Sequence, residues 1–347
     1  MSIGQVLRNA LLWTLLTCSV ASAQPQGGNE DVYFRNRADA SKYALIVTGP
    51  GASEEIGIRF WQWSVALHDT LAGDYGYSSD SIVLLNDDGT ALGNRSTRID
   101  GSSRREDIER AIADLRQRLE PGDQLTVFLI GHGSSLTEDA KFNIVGPDIT
   151  GVEFSQLLDG FQEQDVVVIN TTSASYEFSE DLSSRGRVIV SATRSRAERY
   201  DPVFAAYLLE ALTNRAGDRD KNGRVSVLEA FTYASQSSLA WYRDQGRLPT
   251  ERAVLDDNGD QTFAMEPGPG AGDGRLAEIA YFDWPNMVEL KSSPQAQQIY
   301  AQMQDLERTI FLLRADKQNY LESDYWARME ELLIELAMKT EQYNDLP

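Results

Sequence analysis

The strongest constraint on the fold is an alternation between apolar runs rich in β-branched residues and segments of helical periodicity. Buried strands are predicted at 43–49, 81–87, 123–134, 165–170 and 187–194. The spacing of apolar residues predicts helices at 60–71, 103–119, 151–161 and 202–212. Because strands that alternate with helices pair in parallel, the chain is predicted to form an α/β sandwich around a mostly parallel sheet.

The N-terminal region predicts export. Residues 1–23 have a positive start at Arg8, an apolar stretch too short to span a bilayer and an A-x-A cleavage motif ahead of Gln24. This pattern is typical of a secretory signal peptide, followed by a flexible leader at 24–41. We therefore expect a periplasmic or secreted protein, with a lipid anchor on Cys18 as the alternative.

Composition excludes several classes of function. Cys18 is the chain's single cysteine, so removal of the signal peptide leaves no thiol for disulfide bonds or thiolate catalysis. The net charge of −21, from 53 acidic and 32 basic residues, argues against nucleic acid and anionic membranes as partners. No later segment is apolar for long enough to span a bilayer, so no membrane contact is expected once the signal is removed.

The chain divides into a main domain and a C-terminal extension. The domain is expected to cover 42–265, followed by a Pro/Gly-rich linker with an edge strand near 279–282, within 266–291. Residues 292–347 are predicted to form an antiparallel helical hairpin. Its apolar stripes need a partner, which is the other helix, the domain or a second copy of the chain, so the hairpin is a candidate for homo-oligomerisation.

Two strand ends carry the residues with chemical potential. His132 lies in Gly-His-Gly-Ser directly after an apolar strand, and the next strand ends at Asn170 before a run of small hydroxyl residues that includes Thr172. Glycines beside the histidine let the backbone approach a ligand and leave N–H groups as oxyanion donors. If the two strands are neighbours, His132 and Thr172 emerge together at one edge of the sheet.

In this order the motifs resemble the caspase–legumain group of cysteine peptidases. The group's strand ending in His-Gly-Ser is matched by "FLIGHGS", and "VIVSATRSRAE" looks like its following strand. The resemblance covers roughly 42–262 and implies a caspase-like three-layer sandwich. It places His132 at the catalytic histidine, the backbone of Gly133 at the oxyanion donor and Thr172 at the catalytic cysteine.

The resemblance also implies a substrate pocket. In caspase-like sites basic residues hold an acidic substrate side chain, and three arginines lie near the expected strand ends: Arg59, Arg194 and Arg196. Surface arginines that serve no substrate are the alternative for these positions.

The threonine at position 172 determines the functional hypotheses. Its hydroxyl needs a strong base and an oriented partner before it becomes a nucleophile, and the β-branch restricts its rotamers. The leading hypothesis is an exported pseudopeptidase that binds a peptide or protein. The alternatives are a hydrolase that uses Thr172, Ser173 or Ser175 with His132, and a calcium-stabilised structural module that interacts through the hairpin.

A calcium-loop template occupies residues 218–229, "DRDKNGRVSVLE". It has oxygen donors at loop positions 1, 3, 5, 7, 9 and 12 and a glycine at position 6 for the sharp turn. The donors are Asp218, Asp220, Asn222, the Arg224 carbonyl, Ser226 and Glu229. We expect Ca²⁺ binding here, with an acidic turn that binds nothing as the alternative.

Overall fold

A computed structural model describes residues 34, 40–135, 139–200, 202–268, 272–283 and 293–346. The predicted signal peptide, nearly all of the predicted leader and part of the predicted linker lie outside these residues.

The strands are β1 Lys42–Thr48, β2 Ile82–Asn86, β3 Gln124–Ile130, β4 Gly133–Ser134, β5 Lys141–Phe142, β6 Ile149–Thr150, β7 Asp165–Asn170, β8 Arg187–Ser191 and β9 Val254–Asp256. Six of them form a sheet in the order β2-β1-β3-β7-β8-β9. The first five are parallel, and β9 is antiparallel to β8. The short strands β4, β5 and β6 make a separate antiparallel sheet.

The helices are α1 Glu54–Asp74, α2 Arg105–Arg118, α3 Gly151–Leu158, α4 Tyr176–Leu182, α5 Phe204–Leu212, α6 Val227–Asp244, α7 Arg275–Ile279, α8 Pro294–Ala315 and α9 Glu322–Asn344. Alternate side chains of β1 point into two separate cores, with Ile46 in one and Leu45 in the other. Apolar residues of α1, α5 and α6 complete the first core, and those of α2, α3 and α4 complete the second. The predicted three-layer α/β sandwich with a mostly parallel central sheet is confirmed.

One expected element is replaced by another. In place of an edge strand near 279–282, the chain forms α7 and then a single antiparallel bridge between Tyr281 and Ser226. The buried carboxylate of Asp257 accepts the backbone N–H groups of Gly274 and Ala277 at 3.0 and 2.9 Å and so holds the start of this helix. The antiparallel edge of the sheet is provided by β9 instead.

The C-terminal hairpin packs both on itself and on the domain. Residues of α8 and α9 share a small core made of Ile310, Leu313, Tyr325, Met329 and Leu332. Phe311, only 4% exposed, joins the first core of the domain, and Arg314 pairs with Glu278 at 2.7 Å. Two of the three partners expected for the apolar stripes are therefore present. Within the described residues, none of the helices has the length and apolarity needed to cross a membrane.

Candidate functional site

The register of the parallel strands brings four chain turns to one edge of the sheet. Thr48 is level with Ile130, and Asn170 is level with both Leu129 and Ser191. The segments that follow these strand ends therefore leave the sheet side by side. The carboxyl edge of such a sheet is where α/β proteins place their binding and catalytic groups. The predicted neighbourhood of the His132 and Thr172 segments follows from this register.

Thr172 is held by the residue that ends its strand. Its hydroxyl donates to Asn170 Oδ1 at 2.7 Å, and its backbone N–H donates to the same oxygen at 3.1 Å. Both residues are buried, with Thr172 only 1% exposed. An amide oxygen orients the hydroxyl proton but does not remove it, because a neutral amide is not a general base.

The histidine segment lies against the threonine segment. A Cβ built on Gly133 would lie 2.3 Å from the Ser173 carbonyl oxygen and 3.1 Å from Thr172 Oγ1. Only glycine allows this approach. The N–H of Gly133, which the family resemblance assigns to the oxyanion, donates to Ser173 Oγ at 3.3 Å.

His132 also has partners within the fold. Its Nε2 accepts the backbone N–H of Ala52 at 3.3 Å, and its ring makes an edge contact with Phe60 at 5.2 Å between centroids. A ring nitrogen that accepts an N–H carries its lone pair toward that donor. One of the two ring nitrogens is thus directed to the turn after β1.

Ser175 belongs to the structural support of this loop. It is fully buried, and its hydroxyl lies 2.9 Å from Ser191 Oγ and 3.0 Å from Thr193 Oγ1. This hydroxyl cluster joins the loop after β7 to the end of β8. The Ser175 hydroxyl therefore contacts the end of β8, whereas the Ser173 hydroxyl accepts the Gly133 N–H.

Each predicted substrate-binding arginine has a partner from its own chain. Arg194 pairs with Glu198 at 3.3 Å, and Arg196 pairs with Glu177 at 3.1 Å. The guanidinium of Arg59 lies 5.5 Å from the centre of the Trp63 ring. An acidic ligand would have to compete with the two carboxylates for Arg194 and Arg196.

The two acidic partners of these arginines were missed by the sequence analysis. Glu198 follows Arg194 at a spacing of four residues, which was a readable signal. Glu177 comes from α4, an element that the apolar pattern did not reveal. Its pairing with Arg196 depends on the tertiary fold.

The calcium-loop template folds into a cluster of carboxylates. One oxygen from each of Asp218, Asp220 and Glu229 lies within 4.8 Å of the others. Asp218 Oδ1 is buried and has no hydrogen-bond partner among the described residues. Burial, and then the nearby carboxylates of Glu229 and Asp218, raise the pKa of Asp220. A divalent cation would supply the missing partner and remove this repulsion.

The remaining donors of the template are part of the turn itself. Asn222 Oδ1 accepts the Arg224 N–H at 2.8 Å, and Gly223 takes the positive φ of 80° that the turn requires. Ser226 and Glu229 form a capping box at the start of α6. The Arg224 side chain stacks on the ring of Tyr281, 3.5 Å from its centre. The residues present fit an oxygen-ligated cation.

No protein-family model and no curated protein matches this chain. Solved structures with similarity to it include a structural-genomics protein of Geobacter sulfurreducens, at 11% identity and TM-score 0.42 over 62% of this chain and 92% of that one. Another is drICE, at 11% identity and TM-score 0.41 over 65% and 91%. A third is the Drosophila initiator caspase Dronc, at 11% identity and TM-score 0.42 over 69% and 87%. At 11% identity and TM-scores of 0.41 and 0.42, these likenesses assign no activity to this chain.

Proposed function

We propose that this chain is a non-catalytic relative of caspase-like peptidases that binds a peptide or protein segment at the carboxyl edge of its sheet. The observation that carries the proposal is the hydrogen bond from Thr172 to Asn170, which directs the hydroxyl at the expected nucleophile position toward an amide oxygen. The expected base and the expected oxyanion donor also have internal partners, Ala52 and Ser173.

The surface beside these residues supports peptide binding. Gly133 and Ser134 are half-buried and form β4, which in the described part of the chain lies at the outside of the small sheet. An edge strand offers backbone donors and acceptors to an extended peptide. Arg194 and Arg196 lie after β8 at the same edge and favour an acidic segment, in competition with their own carboxylate partners.

Peptide capture followed by mass spectrometry tests this function. Purified protein is incubated with a peptide library, separated by gel filtration, and its bound peptides are identified. We expect intact peptides to be retained by the unmodified protein. Gly133→Ala should lose them, because its Cβ would meet the Ser173 carbonyl oxygen at 2.3 Å and force the two segments apart.

Gly57→Ala is the matched control, because a Cβ at this position on α1 meets nothing within 4 Å. Its retention of peptides should equal that of the unmodified protein. Equal retention by Gly133→Ala and Gly57→Ala would place peptide binding elsewhere.

The hydrolase alternative keeps one observation in its favour. Ser173 Oγ lies 3.3 Å from the Gly133 N–H, so a hydroxyl is present beside the expected oxyanion donor. A fluorophosphonate probe separates the two functions, since it labels activated hydroxyls. The proposal expects no adduct, and an adduct mapped to Ser173 or Thr172 would favour the hydrolase.

Calcium binding at residues 218–229 is part of the proposal. It is supported by the buried Oδ1 of Asp218 that lacks a partner among the described residues, and by the carboxylates of Asp220 and Glu229 beside it. The loop continues into the Ser226–Tyr281 bridge and into α6, which contributes to the core. A bound cation would thus stabilise the domain.

Two further parts of the proposal concern location and assembly. Export to the periplasm or medium rests on the sequence of residues 1–23. A mature N-terminus at Gln24 in the exported fraction would support it, and an intact Met1 or a lipid on Cys18 would contradict it.

Self-association through 292–347 rests on the apolar outer face of α9, where Ile334 is 54% exposed. Sedimentation of the unmodified protein against Ile334→Glu tests this association, and a monomer in both would exclude it.

A further inference from the structure

A cavity of about 390 Å³ lies between α5, α6 and the segment before β9. It is separate from the candidate site, because neither His132 nor Thr172 lines it. Its apolar lining includes Phe204, Phe231 and Ala253, which belong to the first core. A volume of this size suits a small organic ligand rather than a few water molecules.

Two polar atoms in the lining are buried without a hydrogen-bond partner among the described residues. They are Oε2 of Glu251 and Oγ of Ser235. The Glu251 side chain is 2% exposed, and its other oxygen accepts the Val203 N–H at 2.7 Å and the Tyr242 hydroxyl at 3.1 Å. Buried polar atoms are nearly always hydrogen-bonded, so a carboxylate oxygen and a hydroxyl without partners on one cavity indicate a missing polar group, and the carboxylate oxygen requires that this group be a donor.

The other polar residues of the lining are already engaged. The Thr232 hydroxyl donates to the Leu228 carbonyl at 2.7 Å, and the Ser238 hydroxyl donates to the Ala234 carbonyl at 2.8 Å. Gln236 accepts a hydrogen bond from Arg219. The donor that the cavity lacks must therefore serve Glu251 and Ser235.

Charge selects among the donors. The ionisable lining groups are Glu251, Arg252 and Glu266, a net negative set within a chain of net charge −21. The negative lining and the negative charge of the whole chain both attract a cation and both repel an anion. The apolar lining requires that the ligand also have an apolar body.

We propose that this cavity is a binding site for a small organic amine with an aromatic or aliphatic body. The amine donates to Glu251 Oε2 and Ser235 Oγ, and its apolar body occupies the space beside Phe204, Phe231 and Ala253. The site adjoins the candidate peptide site through the 194–198 loop, since Arg252 N–H donates to Glu198 at 3.1 Å. Occupancy of the cavity does not require the peptide-binding proposal to hold.

Isothermal titration calorimetry at pH 8 with 2-phenylethylamine tests the proposal on the purified protein. The two comparison probes are 2-phenylethanol, which keeps the body without the charge, and 3-phenylpropionate, which reverses the charge. We expect the amine to bind with a dissociation constant of about 0.1–1 mM, as the size of the ligand allows. The alcohol should bind about tenfold more weakly or worse, because charge-assisted hydrogen bonds are the stronger ones.

Variants locate the binding. Glu251→Gln keeps an acceptor for the Val203 N–H but removes the charge, and Ser235→Ala removes only a hydroxyl on α6. Glu251→Gln should weaken amine binding by about tenfold or more, and Ser235→Ala should weaken it severalfold. The control is Glu335→Gln on the exposed side of α9, which should bind as the unmodified protein does.

Circular dichroism verifies that each variant is folded. If Glu251→Gln does not fold, Ser235→Ala alone tests whether the amine binds in this cavity. Absence of heat up to about 10 mM amine, well above the expected range, would overturn the proposal. Binding that is equal for the amine and the propionate, or unchanged in both variants, would also overturn it.

Discussion

Glu251 provides a pH-dependent test of the packing around the cavity. Burial raises the pKa of its carboxyl to about 7. The backbone N–H of Val203 and the hydroxyl of Tyr242 lower the pKa in part, because their hydrogen bonds favour the ionised form. The carboxylate of Glu198 adds to the rise, and the other charged groups at the cavity are Arg252 and Glu266.

The sign of the effect follows from the direction of the shift. A carboxyl with a native pKa above its unfolded value holds its proton more tightly in the folded protein. The contribution of this carboxyl to folding stability is therefore greatest at low pH and falls as pH rises from about 4.5 through 7. At about 1.4 kcal/mol per pH unit, the interval from 4.5 to about 7 corresponds to about 3 kcal/mol, fully lost above pH 8.

Replacing Glu251 with glutamine removes this loss while keeping an acceptor in place. Urea unfolding at pH 4, 6 and 8.5 measures the free energy of unfolding of Glu251→Gln and of the unmodified protein. The difference between the two should move in favour of the variant by about 3 kcal/mol from pH 4 to pH 8.5.

Glu335→Gln, an exposed exchange of the same chemistry, is the control and should leave the pH dependence unchanged. If Glu251→Gln and Glu335→Gln give parallel curves with the unmodified protein, the carboxyl of Glu251 titrates normally. Burial would then not raise the pKa of this carboxyl.

Three further predictions concern the calcium loop, the hairpin and α7. Calcium at one hundred times its dissociation constant should stabilise the unmodified protein by about 2.7 kcal/mol in thermal melts. It should stabilise the Asp218→Asn variant by much less. Equal gains from magnesium or sodium chloride would indicate that the ions only screen the negative charge of the chain. Phe311→Ala should lower the free energy of unfolding by about 3–5 kcal/mol in urea, while Leu248→Ala, at an exposed position outside the hairpin, changes it by under about 0.5 kcal/mol; equal losses would mean that α8 does not pack as described. Asp257→Ala should lower it by about 1–3 kcal/mol, because the N–H groups at the start of α7 lose their buried acceptor, and no change would remove that carboxylate as the helix cap.

The sequence predicted the sheet well where strands are long and β-branched. The run at 165–170 became β7 with the same bounds, and the neighbouring strand ends brought His132 and Thr172 segments together as expected. These features depend on local composition and on the general rule that parallel strands end at a common edge. Neither depends on which distant residues meet.

Features that depend on distant residues were not predictable in the same way. The strand β9 is three residues long, too short for its composition to identify it. The helix α7 depends on Asp257, about twenty residues earlier, whose carboxylate accepts its first N–H groups. From the sequence, Asn170 was only a position without an acidic residue. In the structure its side-chain oxygen accepts the hydrogen bond from the Thr172 hydroxyl.

Incubation of the purified protein with peptides, with and without calcium, shows whether the chain is non-catalytic. A peptide library is incubated with the unmodified protein and with Thr172→Ala, and new peptide termini are identified by mass spectrometry. We expect no new termini with either protein, because the Thr172 hydroxyl donates to Asn170 and residues 24–347 contain no cysteine. Cleavage by the unmodified protein that disappears in Thr172→Ala would contradict it and establish Thr172 as a nucleophile.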